Sequence, residues 1–303
     1  MESNKVFRSG FITIIGAPNA GKSTLMNRIV GQKVSVVSHR AQTTRNKIMG
    51  VYHGRDCQMI FIDTPGVTMP KNKLGEYMVK VAYDAINEVE GILYMVDSEN
   101  GLREKDEAIL ERLKSAKAPV IAAVNKTDIS SMKAVDEIRE KLSGYDFIHD
   151  IIPISAADGS GVDKLMNILT ELMPEGPQYF PPDMVTDVPE RFICAEMIRE
   201  KTLIFLSDEI PHGIGVDIEK IAPHEGRDDM LDIYAVIYCE RDSHKGIIIG
   251  KGGSMLKKIG SQARHDIEWL MGARVNLQLH VKVKSDWRNS GSMLHELGYD
   301  MKN

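Results

Sequence analysis

Nine residues near the start of the chain, GAPNAGKST, contain the pattern G-x-x-x-x-G-K-[ST] directly after the apolar run FITIIG. A glycine-rich turn between a strand and a helix points backbone N–H groups inward, and the helix adds the positive end of its dipole. The lysine supplies a cation to the outer phosphates, and the next hydroxyl is a ligand for Mg²⁺. The segment predicts a phosphate-binding loop rather than a flexible turn. Its residues are Gly16, Ala17, Pro18, Asn19, Ala20, Gly21, Lys22, Ser23 and Thr24.

The sequence NKTD, which is Asn125, Lys126, Thr127 and Asp128, follows the apolar run APVIAAVN. It therefore lies at the carboxyl end of a predicted strand, where open α/β sheets bind ligands. A carboxylate at Asp128 accepts hydrogen bonds from the ring N–H and the exocyclic amine of guanine together, and adenine offers no such pair. After the next apolar run, the SAADG segment fits a loop that backs the base with main-chain donors. Its predicted site residues are Ser155, Ala156 and Ala157.

The sequence DTPG, which is Asp63, Thr64, Pro65 and Gly66, ends the apolar run QMIFID. This places a carboxylate beside the loop serine, where it can hold magnesium through water. Gly66 has the small backbone suited to meeting a γ-phosphate. An ordinary turn built by the proline and the glycine is the alternative.

The segment SHRAQTTRNKIMG lies between the first predicted helix and the next strand. Thr43 and Thr44 can offer a second hydroxyl to magnesium from this loop. A solvated basic loop is the alternative.

The elements that must position these motifs alternate along the chain. From Phe11 to about Met173, short apolar runs alternate with amphipathic stretches of helical character, which predicts a mostly parallel sheet with helices on both faces. Prolines then crowd the stretch MPEGPQYFPPDMVTDVPE, which cannot sustain a helix or a central strand. We therefore expect a nucleotide domain over 1–175, a proline-rich linker over 176–190 and a second domain over 191–303.

The second domain changes to an α+β pattern. The runs LDIYAVIYCE and VNLQLHVKVK alternate apolar and polar residues and predict half-buried strands. In the latter run, Leu277, Leu279, Val281 and Val283 are expected to point inward. Between the two runs, SMLKKIGSQARHDIEWL spaces apolar residues three or four apart, which predicts a helix with one apolar stripe.

The G-x-x-G pattern of Gly250, Lys251, Gly252 and Gly253 lies between an apolar helix-like stretch and this striped helix. KH domains use that arrangement to clamp single-stranded RNA. Strand, strand, G-x-x-G between helices and a final strand is the order of a type II KH domain. We expect Ile248 and Ile249 to form the floor of the base groove. Nearby basic residues predict an RNA-binding patch rather than a merely solvated helix face. They are Arg241, Lys245, Lys257, Lys258 and Arg264.

Composition limits the classes of protein that are possible. The chain has 303 residues, of which 43% are hydrophobic and 27% charged, enough for roughly two folded domains. No apolar run reaches the roughly 18 residues of a spanning helix, so we expect a cytoplasmic protein. A net charge of −5 implies that any nucleic-acid contact comes from a local patch. We expect no DNA partner and a monomer.

These motifs, in this order, resemble those of the Ras-like GTPase superfamily over the first 175 or so residues. The asparagine in GAPNAGKS, the TTR segment and the tail HVKVKSDWRNSGSMLHELGYD are similar to the Era family of translation-associated GTPases. The resemblance implies an α/β P-loop GTPase domain followed by an α+β type II KH domain. It implies binding of GTP, GDP and Mg²⁺, with Thr44 as the magnesium-binding threonine and Thr43 left open. It also implies binding to small-subunit (16S-type) ribosomal RNA near its 3′ end during 30S assembly, and it leaves peripheral membrane association open.

Val67, directly after DTPG, is also expected to be a nucleotide-binding residue, but it departs from Ras-type enzymes, which carry at this place a glutamine that positions the attacking water. Valine cannot do this, so we expect slow hydrolysis by the chain alone. Asn19 is a candidate for holding K⁺ near the phosphates, as in related GTPases with asparagine there. The alternative is that Asn19 only braces the turn.

Two other functions compete with the GTPase and RNA-binding hypothesis. A small-molecule phosphotransferase would use the same phosphate loop but would prefer ATP, which Asp128 disfavours. A GTPase whose second domain docks a protein would keep every nucleotide motif but would not crosslink to RNA at Lys251.

Overall fold

The computed structural model describes residues 6–37, 43–87 and 89–299, and its contacts separate the chain into two units. The first unit comprises residues up to 71 together with 78–187. The second comprises residues 72–77 together with the chain from 188 onward. Part of the TTR-containing segment, residues 38–42, lies outside the described residues.

The first unit is a six-stranded sheet with the strand order β2-β3-β1-β4-β5-β6. Only the β2–β3 pair is antiparallel, so the predicted mostly parallel sheet is confirmed. The strands are β1 (Arg8–Gly16), β2 (Ile48–His53), β3 (Cys57–Asp63), β4 (Gly91–Asp97), β5 (Val120–Asn125) and β6 (Ile148–Pro153). The helices are α1 (Lys22–Val30), α3 (Glu104–Leu113), α4 (Met132–Ser143) and α5 (Val162–Leu172), together with the part of α2 (Lys73–Asp84) from residue 78 onward.

The position of β1 in this sheet determines where a ligand can bind. β4 and β5 are buried along their whole length, as expected for strands covered on both faces. β1 pairs with β3 on one side and with β4 on the other. The chain order therefore reverses at β1, and the loops after β1, β3, β4 and β5 converge at one edge of the sheet.

The proline-rich stretch lies against the first unit as far as Asp187. Buried Gln58 accepts hydrogen bonds through Oε1 from the backbone N–H of Tyr179 at 2.7 Å and of Phe180 at 3.0 Å. Further along, the backbone N–H of Val51 donates to the carbonyl of Val185 at 2.9 Å. These bonds satisfy main-chain groups that prolines leave without helix or sheet partners. The predicted linker is therefore attached to the first unit over 176–187.

The second unit places three helices against a three-stranded sheet. β7 and β8 are antiparallel, and β8 and β9 are parallel. The order of helix, two strands, two helices and strand is that of a type II KH domain, which confirms the predicted fold. The elements are α6 (Glu190–Phe205), β7 (Gly215–His224), β8 (Arg227–Cys239), α7 (Asp242–Ile249), α8 (Ser254–Met271), β9 (Arg274–Val283) and the short α9 (Gly291–Glu296). Within the described residues, no helix has the length and apolar character needed to cross a membrane.

Candidate functional site

A pocket of about 720 Å³ lies in the first unit where the loops after β1, β3, β4 and β5 converge. Most of the predicted nucleotide residues line it. These are Pro18, Asn19, Gly21, Lys22, Ser23, Thr24, Thr43, Thr44, Gly66, Asn125, Lys126, Asp128, Ala156 and Ala157. The other predicted residues are not among those that line the pocket. These are Gly16, Ala17, Ala20, Asp63, Thr64, Pro65, Val67, Thr127 and Ser155.

The glycine-rich loop is tied to two other motif loops by one side chain. Asn125 is 1% exposed, and its Nδ2 donates to the carbonyl of Ala20 at 2.7 Å. Its Oδ1 accepts from the backbone N–H of Ala156 at 2.8 Å. Gly21, the residue before α1, has φ 95°, and a Cβ there would overlap Asn125 Nδ2. Only glycine therefore fits between the loop and this asparagine.

The buried lysine of the loop points its ammonium among carbonyl oxygens. Lys22 Nζ donates to the carbonyl of Gly16 at 3.2 Å and of Ala17 at 3.1 Å. Burial lowers the pKa of Lys22 to about 8, while the negative charge of Asp63 acts in the opposite direction. A poorly solvated cation at the mouth of a loop of N–H groups is suited to receiving a polyphosphate.

Hydroxyl groups converge on the carboxylate of Asp63. Ser23 Oγ donates to Asp63 Oδ2 at 2.7 Å, and Thr44 Oγ1 donates to the same oxygen at 3.2 Å. The two hydroxyls are 2.9 Å apart. Asp63 Oδ1 is buried and has no hydrogen-bond partner among the described residues. Burial also raises the pKa of Asp63. Hydroxyl and carboxylate oxygens suit Mg²⁺, and Oδ1, which has no partner among the described residues, could accept a hydrogen bond from the hydration shell of the ion.

The sequence predicts that Val67 binds nucleotide, but its side chain does not face the pocket. Its side chain is 5% exposed and packs in the hydrophobic core of the first unit. Its backbone N–H donates to the carbonyl of Gly16 at 3.3 Å, so it supports the phosphate loop from behind. The expectation that this residue contacts nucleotide is corrected accordingly.

Four residues line the pocket that the motifs did not identify: Val37, Glu99, Asn100 and Ile129. Glu99 and Asn100 follow β4, so they could have been identified from the apolar run GILYMVD, since its carboxyl end meets the same edge of the sheet. Lys126 Nζ lies 2.8 Å from Asp97 Oδ2 and 3.5 Å from Glu99 Oε2. These carboxylates hold the lysine of the NKTD motif against the pocket.

In the second unit, the G-x-x-G loop joins α7 to α8. Gly250, Gly252 and Gly253 have φ values of 73°, 60° and 79°, a region that glycine occupies at little cost. Lys251 and Gly252 are exposed. The loop therefore presents bare backbone and one cation at the surface.

A groove of about 430 Å³ starts at Gly253 and runs between α8 and β9. Leu256, Leu277 and Leu279 provide its apolar lining, and Lys257 and Arg264 provide cations. The inward leucines of β9 are only partly buried because they face this groove.

The expectation that Ile248 and Ile249 form the groove floor is wrong. Ile248 is 0% exposed in the core of the second unit, and Ile249 packs against the same core.

The basic residues of the predicted patch differ in their surroundings. Arg241 is exposed, Lys245 is half-buried, and Lys258 Nζ lies 4.3 Å above the ring of Phe205.

Two family models match the chain. One is described as a 50S ribosome-binding GTPase and matches residues 11–126, and the other, a KH domain, matches residues 209–288. A protein named GTPase Era from Caldicellulosiruptor saccharolyticus is 52% identical over 98% of this chain and 99% of its own length. This chain belongs to the Era family of GTPases. Another GTPase Era, from Clostridioides difficile, is 50% identical over 98% of this chain and 100% of its own.

Solved structures of Era match both units. One is a complex with MgGDPNP and nucleotides 1506–1542 of 16S ribosomal RNA. It is 39% identical, has a TM-score of 0.94 and covers 97% of this chain and 100% of the other. An Aquifex aeolicus Era variant bound to GDP·AlF4− matches with the same values. The family membership inferred from the sequence is confirmed.

The pKa of Lys22 predicts how nucleotide affinity depends on pH. Bound phosphates hold the Lys22 proton more tightly, so the pKa is higher in the complex than the value of about 8 in the free protein. The contribution of Lys22 to affinity is therefore full only well below pH 8, and it falls as pH rises through 8 toward the pKa of the complex. We expect GDP affinity to fall roughly fivefold between pH 8 and pH 9, because about half of the free protein is already deprotonated at Lys22 at pH 8.

Equilibrium titration with a fluorescent GDP measures this dependence. The control is Lys22→Arg, whose guanidinium stays protonated throughout the range. The variant should show a flatter pH profile, whatever its absolute affinity. Parallel profiles for the two proteins would contradict the role given to Lys22.

Proposed function

We propose that this chain is a GTP-binding, slowly GTP-hydrolysing switch that binds small-subunit ribosomal RNA near its 3′ end and acts in 30S subunit assembly. The observation that carries the proposal is the pocket in which Asn125 joins the phosphate loop to the base-binding loops. We assign the nucleotide role to residues 1–175 and the RNA role to residues 191–303.

The phosphate side of the pocket supports binding of a magnesium nucleotide. Lys22 and the N–H groups of the loop bind the phosphates, and the start of α1 adds its dipole. Ser23 and Thr44 would hold Mg²⁺ directly, and Asp63 would hold it through water. When bound, the ion supplies positive charge that neutralises charge developing on the transferred phosphoryl group.

The base side of the pocket supports guanine. Asp128 is exposed at the pocket wall, where its carboxylate is free to accept from both guanine donors. Ala156 and Ala157 line the same wall and are held by Arg28, whose Nε donates to the Ala156 carbonyl at 2.7 Å. The base is therefore recognised by one carboxylate and a braced main chain.

The buried side chain of Val67 supports slow hydrolysis, because it cannot orient an attacking water. Asn19 adopts φ 66°, a left-handed conformation that asparagine tolerates better than most residues. This explains an asparagine in the turn. Asn19 also lines the pocket, where a monovalent cation would compensate the charge of bound phosphates.

The groove of the second unit supports single-stranded RNA as its ligand. The bare backbone at the G-x-x-G loop allows close approach of phosphates, and Lys251 supplies charge. Bases would then stack into the groove lined by Leu256, Leu277 and Leu279. The family model that names the 50S subunit covers only the nucleotide unit, whereas the Era structure with 16S RNA matches both units. We therefore favour small-subunit RNA. The monomeric state and peripheral membrane association stay predictions of the family resemblance.

We expect Asp128→Asn to lower GTP affinity on the order of 100-fold or more, because it removes a charge-assisted contact to two donors. Xanthosine triphosphate is the matched control, since it presents a carbonyl where guanine has its amine. The asparagine amide can donate to that carbonyl, so this nucleotide should bind the variant better than it binds the parent. Calorimetry with both nucleotides and ATP measures the three affinities, and tight ATP binding by the parent would refute guanine specificity.

We expect potassium to accelerate hydrolysis relative to sodium at equal ionic strength, because the side chain of Val67 cannot orient the attacking water and a bound cation would compensate for this. Phosphate release under single-turnover conditions measures the rate in each salt. Asn19→Ala should lose the difference. Equal rates for the parent in both salts would remove the cation from the mechanism.

We expect Lys251→Asp combined with Gly252→Asp to lower affinity for a 16S 3′-end RNA more than tenfold while GTP hydrolysis by the isolated protein stays nearly unchanged. Two carboxylates repel phosphates, and a side chain at Gly252 blocks the backbone. Lys133→Asp on α4, 87% exposed at its side chain, is the charge control and should bind as the parent does. Filter binding at several salt concentrations measures both. Parental affinity and salt slope in the double variant would favour a protein-docking unit instead.

A further inference from the structure

A third hydroxyl contacts Asp63 from outside every motif considered above. Ser35 Oγ donates to Asp63 Oδ2 at 2.8 Å, compared with 2.7 Å for the hydroxyl of Ser23. Ser35 is 2% exposed. It lies between α1 and β2, shortly before the segment that carries Thr44. Its side chain is therefore built into the carboxylate environment rather than resting on the surface.

The backbone of Ser35 is fixed by Asn27 of α1. Asn27 Oδ1 accepts from the backbone N–H groups of Val34 at 3.0 Å and Ser35 at 2.9 Å. Its Nδ2 donates to the carbonyl of Ser35 at 2.7 Å. Asn27 lies four residues after Ser23, one turn along the same helix. The helix that presents the loop serine therefore also fixes the position of Ser35.

These bonds give the two oxygens of Asp63 different environments. Oδ2 accepts from the three hydroxyls of Ser23, Ser35 and Thr44. Oδ1 is buried without a partner among the described residues. Donors on one oxygen hold the carboxylate in one rotamer and aim the second oxygen in a fixed direction. Partners of this kind govern metal affinity without touching the metal.

We propose that Ser35 is a positioning residue for the magnesium site, holding the carboxylate of Asp63 so that Oδ1 is available to the hydration shell of the ion. Asn27 is its clamp. The inference rests on the proposed function, because it requires a magnesium nucleotide in this pocket. Ser35 differs from Ser23 and Thr44 in that it acts on the carboxylate and not on the ion.

The experiment measures release of a fluorescent GDP from the full chain as free Mg²⁺ is varied. In Ser35→Ala, we expect the Mg²⁺ concentration for half-maximal slowing of release to rise about tenfold or more. GDP affinity in excess EDTA should stay within twofold of the parent, since the phosphate loop is untouched. Ser9→Ala is the matched control, because Ser9 is a fully buried serine of the same unit whose hydroxyl has no partner among the described residues.

A second pair of variants tests whether the effect passes through the carboxylate. In an Asp63→Asn background, Ser35→Ala should shift the Mg²⁺ midpoint less than twofold, and an undiminished tenfold shift there would overturn the proposal. Ser35→Cys fills the site with a weak donor and should behave like Ser35→Ala. It takes the place of the alanine variant if that variant does not fold.

The outcomes separate the inference from the proposed function. If Mg²⁺ does not slow GDP release from the parent, the magnesium site itself is wrong. If Mg²⁺ slows release from the parent and from the folded Ser35 variants with the same midpoint, only the role of Ser35 is refuted. If the substitution of Ser35 changes GDP affinity by the same factor in EDTA as in the presence of Mg²⁺, the role of Ser35 is purely structural. This result would also overturn the proposal.

Discussion

The hydrogen bonds of Asn125 are the constraint on which the nucleotide unit depends. One buried amide joins the carbonyl of Ala20 to the N–H of Ala156, so loops from β1, β5 and β6 keep a fixed spacing. Both polar ends of the amide are hydrogen-bonded to main chain. If either partner loop moved away, a buried polar atom of Asn125 would therefore be left without a partner. Phosphate and base binding are therefore parts of one rigid arrangement, and Gly21 is required for its closure.

The two buried charged groups of this arrangement, Lys22 and Asp63, compensate each other only in part. Lys22 and Asp63 are both buried, and burial shifts the pKa of each toward the neutral form. Their opposite charges partly compensate one another, and hydroxyls and carbonyls satisfy the remaining polar atoms except Asp63 Oδ1. A magnesium polyphosphate supplies an anion to the lysine and a cation to the carboxylate, so binding relieves the cost of burying both.

Sequence patterns predicted the two folds and the motif residues because each motif follows an apolar strand whose end is easy to recognise. They did not predict which face of a short apolar helix is buried, so Ile248 was placed in a groove while packing put it in the core. They also missed Glu99 and Asn100, which belong to no motif and which only their position after the apolar run of β4 could have indicated. Ser35 has no motif at all, and only the three-dimensional approach to Asp63 reveals it.

The groove of the second unit depends on a glycine within a helix. Gly260 lies in the interior of α8, where glycine costs about 1 kcal/mol relative to alanine. A Cβ at this position would lie 3.2 Å from Leu279 Cδ1, across the groove. The helix therefore contains a destabilising glycine at the position where a side chain would narrow the groove beside the G-x-x-G loop. Gly21 in the first unit has a different reason for being glycine, since a Cβ there would overlap Asn125 Nδ2 rather than narrow a groove. One glycine therefore keeps a surface groove open, and the other allows buried loops to close on each other.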